Sequence, residues 1–127
     1  MKTQGEAESQ ISSKFSRFYS EIFGKGPKSI RVNSVNSIVV IISQNLLTGA
    51  EKLLISTNVG CRMVKDIRQS LIDCHQKKLI NIINDATGEE INNVHHDFST
   101  MNGEESFVFS LDGTPVYRLN KKLAAIH

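Results

Sequence analysis

From Asn58 to Ala86 the chain runs without a proline. Val59, Met63, Ile67, Leu71, Cys74, Lys78 and Ile82 recur there at the three- and four-residue steps of one helical stripe. Val64, Leu79 and Ile83 stand beside that stripe, Asn58 offers an N-cap, and Thr87-Gly88 supplies a stop. The segment predicts one continuous helix of about 28 residues, roughly 42 Å long at 1.5 Å per residue. A chain of 127 residues folds into a globule narrower than that. Such a rod overhangs its own domain and needs cover, which predicts a homodimer or a partner protein lying along it.

The flanking segments place this helix in an α+β domain. Ile11, Phe15, Phe18, Tyr19, Ile22 and Phe23 form the apolar face of a first helix, which Gly24 and Pro27 end. Ser29 to Val35 and Ile38 to Ser43 are rich in β-branched residues and flank an Asn36-Ser37 turn, the pattern of a hairpin. The run Ile38 to Ile42 is apolar on both pleat faces and is expected to be covered on both sides, by helices or by a partner subunit. Thr48-Gly49-Ala50-Glu51 has capping-box spacing for a short helix. Glu90 to Ser99 and Glu105 to Leu111 form a second hairpin, turned at Asn102-Gly103.

The order α-β-β-α-α-β-β predicts two layers, with an antiparallel sheet of two hairpins, helices on one face and a long third helix. Residues 1–10 are expected to be a flexible N-terminus, residues 11–112 a single domain, and residues 113–127 a basic C-terminal tail that could end in a short helix.

Fifteen basic and thirteen acidic residues leave a net charge of only +2. Residues 87–112 nevertheless carry six acids, among them Glu104 and Glu105, and no Lys or Arg. This segregation suits self-complementary assembly or a basic partner and disfavours nucleic acid. No apolar run approaches the roughly 20 residues of a spanning helix, and Met1 to Gln10 is polar where a secretory signal would be apolar. A cytoplasmic location is the expectation. Cys61 and Cys74, about 20 Å apart on one helix, cannot pair with each other.

Candidate chemistry is sparse. Gly24 to Ser29 lacks Walker A spacing, and its simpler reading is a helix cap and turn, although Lys25 and Lys28 could face an anion. Arg62, Lys65 and Arg68 follow one another at three-residue steps and could share an anionic partner, against the simpler reading of a solvated or salt-bridged face. His95 and Asp97 share one pleat face, as a polar or acid-base pair would, yet neither a nucleophile nor a third metal ligand can be placed beside them. No cofactor loop, metal set or catalytic motif is recognisable, so an enzyme is the least favoured reading.

Several blocks together resemble a known family. They are Gly24-Lys25-Gly26-Pro27, Ile30-Arg31-Val32, Leu47-Thr48-x-Ala50-Glu51-Lys52-x-Leu54, Arg62-x-Val64-x-x-x-Arg68-x-x-Leu71, Thr87-Gly88, Val94-His95-x-Asp97-x-Ser99 and Gly103-Glu104. In this order and spacing they resemble the MpsC-like domain, a small bacterial family named after a sodium-translocating, membrane-potential-generating system. The resemblance implies no reaction. It implies a soluble accessory at the cytosolic side, with a membrane-protein partner. The expectation is therefore a non-catalytic, dimeric accessory module at the inner face of a membrane. The alternative is a regulatory module that binds a small anion or a phosphorylated ligand through Lys25, Lys28, Arg62 and Arg68.

Overall fold

The computed structural model describes residues 1–44 and 46–119. In chain order it comprises α1 (Gln4–Phe23), β1 (Ser29–Val35), β2 (Ile38–Gln44), α2 (Gly49–Leu54), α3 (Asn58–Cys74), α4 (Gln76–Thr87), β3 (Ile91–Ser99) and β4 (Glu104–Leu111). The strands form one antiparallel sheet in the order β1-β2-β4-β3, so the two hairpins meet along β2 and β4. The α+β class, the two hairpins and the alternation of helical and strand segments are as the residue pattern predicts, with one helix more.

The third helix is a correction. It is not one rod but two helices, divided at His75, whose backbone sits at φ −113°, ψ 12°. The His75 Nδ1 lies 2.7 Å from the Leu71 carbonyl oxygen, the acceptor that the His75 amide would use in a continuous helix. That amide bonds instead to the Ile72 carbonyl, at 3.0 Å. A side chain thus competes with the backbone ladder and bends the chain, with no proline involved. The bend lays α4 against α1, and Leu79, Ile82, Ile83 and Ala86 enter the core. The 42 Å overhang does not form, and the argument for a partner built on it lapses.

Burial along α3 also differs from expectation. The stripe facing the sheet is Gly60, Val64, Arg68 and Ile72, while Val59, Met63 and Ile67 point to solvent. Gly60 permits the tight α2–α3 corner, because a Cβ there would overlap the Leu54 carbonyl.

The N-terminus is a second correction. Residues 4–10 are not a flexible lead-in but the first two turns of α1, capped by a reciprocal Thr3–Glu6 box, with Ala7 fully buried. Thr3 also bridges to Arg118, and the Tyr117 hydroxyl meets that of Ser34 at 2.8 Å, so the start of the expected tail packs against the domain. The expected terminal helix falls largely on residues 120–127, outside the described residues.

All the core side chains of the sheet point to the helical side. Val39 and Ile41 from β2, Phe107, Phe109 and Leu111 from β4, and Phe98 from β3 pack there with Phe15, Phe18 and Tyr19 of α1. Phe15 meets Phe107 edge to face, with ring centroids 5.6 Å apart. Within the chain β2 is accordingly covered by helices on one face. Ile38, Val40 and Ile42 point to the other side, where no described element lies over them and Ile38 is 40% exposed.

Candidate functional site

The best-built polar constellation begins with Arg68, whose position between Val64 and Ile72 aims it at the sheet. Its side chain is fully buried, and burying a guanidinium is costly unless its charge and donors are matched. Glu51 matches the charge as a two-point acceptor, with Nη2 to Oε1 at 2.5 Å and Nε to Oε2 at 2.8 Å, while Nη1 is buried without a hydrogen-bond partner among the described residues. Nη2 also donates to the Leu46 carbonyl at 2.7 Å, and the rings of Phe23 and Phe98 lie 4.0 and 4.9 Å from the guanidinium carbon. Glu51 is fixed in turn by the α2 capping box, accepting from the Thr48 amide at 2.9 Å. Burial raises its carboxyl pKa, but the Arg68 and Thr48 hydrogen bonds and the guanidinium charge outweigh this and hold it below the ordinary value. The pair pins α2 and the loop after β2 onto α3.

A second constellation lies on the inner face of the sheet. Glu105 of β4 is fully buried; it accepts from the Tyr19 hydroxyl at 2.7 Å, and its other oxygen lies 2.8 Å from His96 Nε2. The Nδ1 of His96 reaches Gln69 Oε1 of α3 at 2.9 Å. Both ring nitrogens of His96 thus face side-chain oxygens. Burial first, and the nearby Glu105 charge second, push the Tyr19 hydroxyl well above its ordinary pKa. The relay ends at a cleft of about 280 Å³ between α3, α4 and β3, with Gln69, Asp73 and His96 among its polar lining. The arrangement can hold or move a proton. Ser43 of β2, fully buried, places its hydroxyl beside that of Tyr19, and among the described residues no group of three metal-binding side chains exists.

The residues singled out by sequence do not converge. Lys25 donates to the Leu47 carbonyl at 2.8 Å, and Lys28 lies exposed near Glu104. Arg62 and Lys65 are exposed on α3, while Arg68 is buried and committed to Glu51. His95 and Asp97 do share a pleat face, the exposed outer one, where His95 contacts Asn93 at 3.3 Å.

Sequence reasoning missed the inner relay, because Tyr19, Gln69, His96 and Glu105 come from four elements. It also missed a basic groove of about 650 Å³ between α1 and α4, where Lys14, Arg17, Lys77 and Lys78 gather beside His75 with Glu21 and Asp85 as counter-charges. Lys14 and Arg17 at i, i+3 were the available signal on α1; the α4 half needs the bend at His75.

Comparison with known proteins bears on this frame. A family model described as "Na+-translocating membrane potential-generating system (MpsC)" matches residues 3–113, which include every element and both constellations. The chain is 28% identical over 110 residues to "Uncharacterized protein YbcI" of Bacillus subtilis (strain 168), an alignment covering 87% of this chain and 89% of that protein. No solved structure matches the chain. With its α+β frame spanned from Thr3 to Gly113 by a single family model, the chain belongs to the MpsC family.

Proposed function

We propose that this chain is a non-catalytic, dimeric accessory module that serves a membrane ion-translocating or potential-generating system from the inner face of the membrane. The family's description supports the setting. No described helix is long and apolar enough to cross a membrane, so the reading relies on docking rather than insertion. The observation that carries it is the apolar ridge on α3. Val59, Met63 and Ile67 are 69%, 47% and 50% exposed, Leu53 of α2 is 78% exposed, and Arg62 and Lys65 flank them. A contiguous ridge of this kind marks a contact surface.

The test is co-sedimentation of the full chain with inverted vesicles from cells that contain the translocating system, against liposomes of the same lipids. Retention by the native vesicles alone, abolished by Met63→Glu with Ile67→Glu, is the expected result. Equal retention by liposomes, or retention indifferent to the substitutions, overturns it.

A second reading, a regulatory module for a small anion or phosphorylated ligand, is favoured by the α1–α4 groove rather than by Lys25, Lys28, Arg62 and Arg68. It expects a thermal shift with phosphate, bicarbonate or a nucleotide that Lys14→Ala and Lys77→Ala remove. No shift with any of them eliminates it.

A further inference from the structure

The outer face of the sheet carries an ordered pattern. Strand register sets out two of its cross-strand rows: Arg31–Ile42–Ser106–Asp97 and Asn33–Val40–Val108–His95, each running from β1 through β2 and β4 to β3. The centre is apolar, at Ile38, Val40, Ile42 and Val108, and no described element covers it. The two edges of one row bear opposite charges, Arg31 on β1 and Asp97 on β3, both exposed and neither in an ion pair among the described residues.

We propose that this face seats a second copy of the chain, the two sheets packing face to face about a two-fold axis parallel to their strands. Such an axis reverses the order of the strands while keeping each row level. Arg31 then lies over the partner's Asp97, Val40 over the partner's Val108 and Asn33 over the partner's His95, and symmetry repeats each contact. An in-plane axis at right angles to the strands places β1 over the partner's β1 and matches no charges. Apolar centre, polar rim and opposite charges at mutually facing edges are what a self-complementary interface requires. Aligned sheets pack about 10 Å apart with their strands within about 30° of each other, which suits a twisted four-stranded sheet. Four strands about 4.8 Å apart and seven residues rising about 3.3 Å each present about 440 Å² of plane per copy. Two copies give about 900 Å² before side-chain relief, close to the roughly 1,000 Å² of a specific interface.

This inference rests on the dimeric reading above, and its test separates the two. Sedimentation equilibrium of the full chain at micromolar concentration expects a dimer; a monomer overturns both the inference and the dimeric reading. Arg31→Asp or Asp97→Arg alone sets like charges against each other and is expected to weaken the dimer about tenfold or more, without changing the thermal melt measured on the monomer at low concentration. The double swap, Arg31→Asp with Asp97→Arg, is expected to restore it. A dimer indifferent to the single swaps, or weakened without rescue by the double, overturns this interface and leaves the dimeric reading standing.

Discussion

The Arg68 guanidinium, wholly withdrawn from solvent, is held in a two-point hydrogen bond by the carboxylate of Glu51, seventeen residues earlier in the chain. Removing one partner strands the other charge. Glu51→Gln should cost about 3–5 kcal/mol in urea denaturation at pH 7. Arg68→Met should cost less, since Met fills much of the space between Phe23 and Phe98 and the Glu51 carboxylate left behind is partly exposed and keeps its Thr48 amide bond. A loss for Glu51→Gln below about 1 kcal/mol would show that water reaches the pair.

The same pair ties stability to acid pH. The Glu51 pKa is lowered in the folded state, so its ionised form adds stability above the ordinary carboxylate value near 4.5. That stability is lost as pH falls through the lowered pKa. A pH series of denaturation midpoints should therefore drop below about pH 4.5 in the wild type. The acid limb of Glu51→Gln should be shallower.

Tyr19 behaves oppositely. Its pKa is raised by folding, so the stability tied to its neutral hydroxyl is complete below its unfolded value near 10 and disappears as pH climbs beyond it. Tyr19→Phe should cost about 1–3 kcal/mol at pH 7, because Glu105 loses a donor while fully buried. It should also flatten the alkaline limb, as read by circular dichroism between pH 9 and about pH 11.

Gly60→Ala should be among the most damaging single-methyl additions, since the new carbon meets backbone rather than a movable side chain. A loss of about 1–3 kcal/mol is expected, with the damage centred on α2 and the start of α3 in hydrogen exchange. Uniform protection in the variant would contradict this.

Thr3→Ala should cost about 1 kcal/mol through loss of the α1 cap. Amides of residues 4–10 should exchange faster in the variant, whereas a disordered lead-in would show no protection in either protein.

How legible the fold was depended on whether the signal was local. The hairpin turn at Asn36-Ser37, the left-handed Gly24 cap and the Thr48–Glu51 box are each written in two to four adjacent residues, and each is formed. The Thr3–Glu6 box has the same spacing, but an apolar periodicity taken to begin at Ile11 left it unread. The break at His75 carried no proline or glycine, because its cause is a side chain competing for a backbone acceptor. On α3 the exposed stripe, Val59, Met63 and Ile67, is more apolar than the buried one, Gly60, Val64, Arg68 and Ile72, so periodicity alone pointed to the wrong face. Arg68 had a signal, four residues from both Val64 and Ile72, although its charge alone read as surface. The inner relay and the α1–α4 groove need the tertiary fold, so neither had a local pattern to read.

The strand order β1-β2-β4-β3 has a consequence for the growing polypeptide. β2 bonds to β4 along Ile38 to Ser43, and β4 is the last of the four described strands to leave the ribosome. Until Leu111 emerges, one of the most apolar strands of the protein has an open edge toward any neighbouring nascent chain. Translation stalled between α4 and β4 should therefore yield a sticky intermediate, and completion of the last hairpin is the step that seals it.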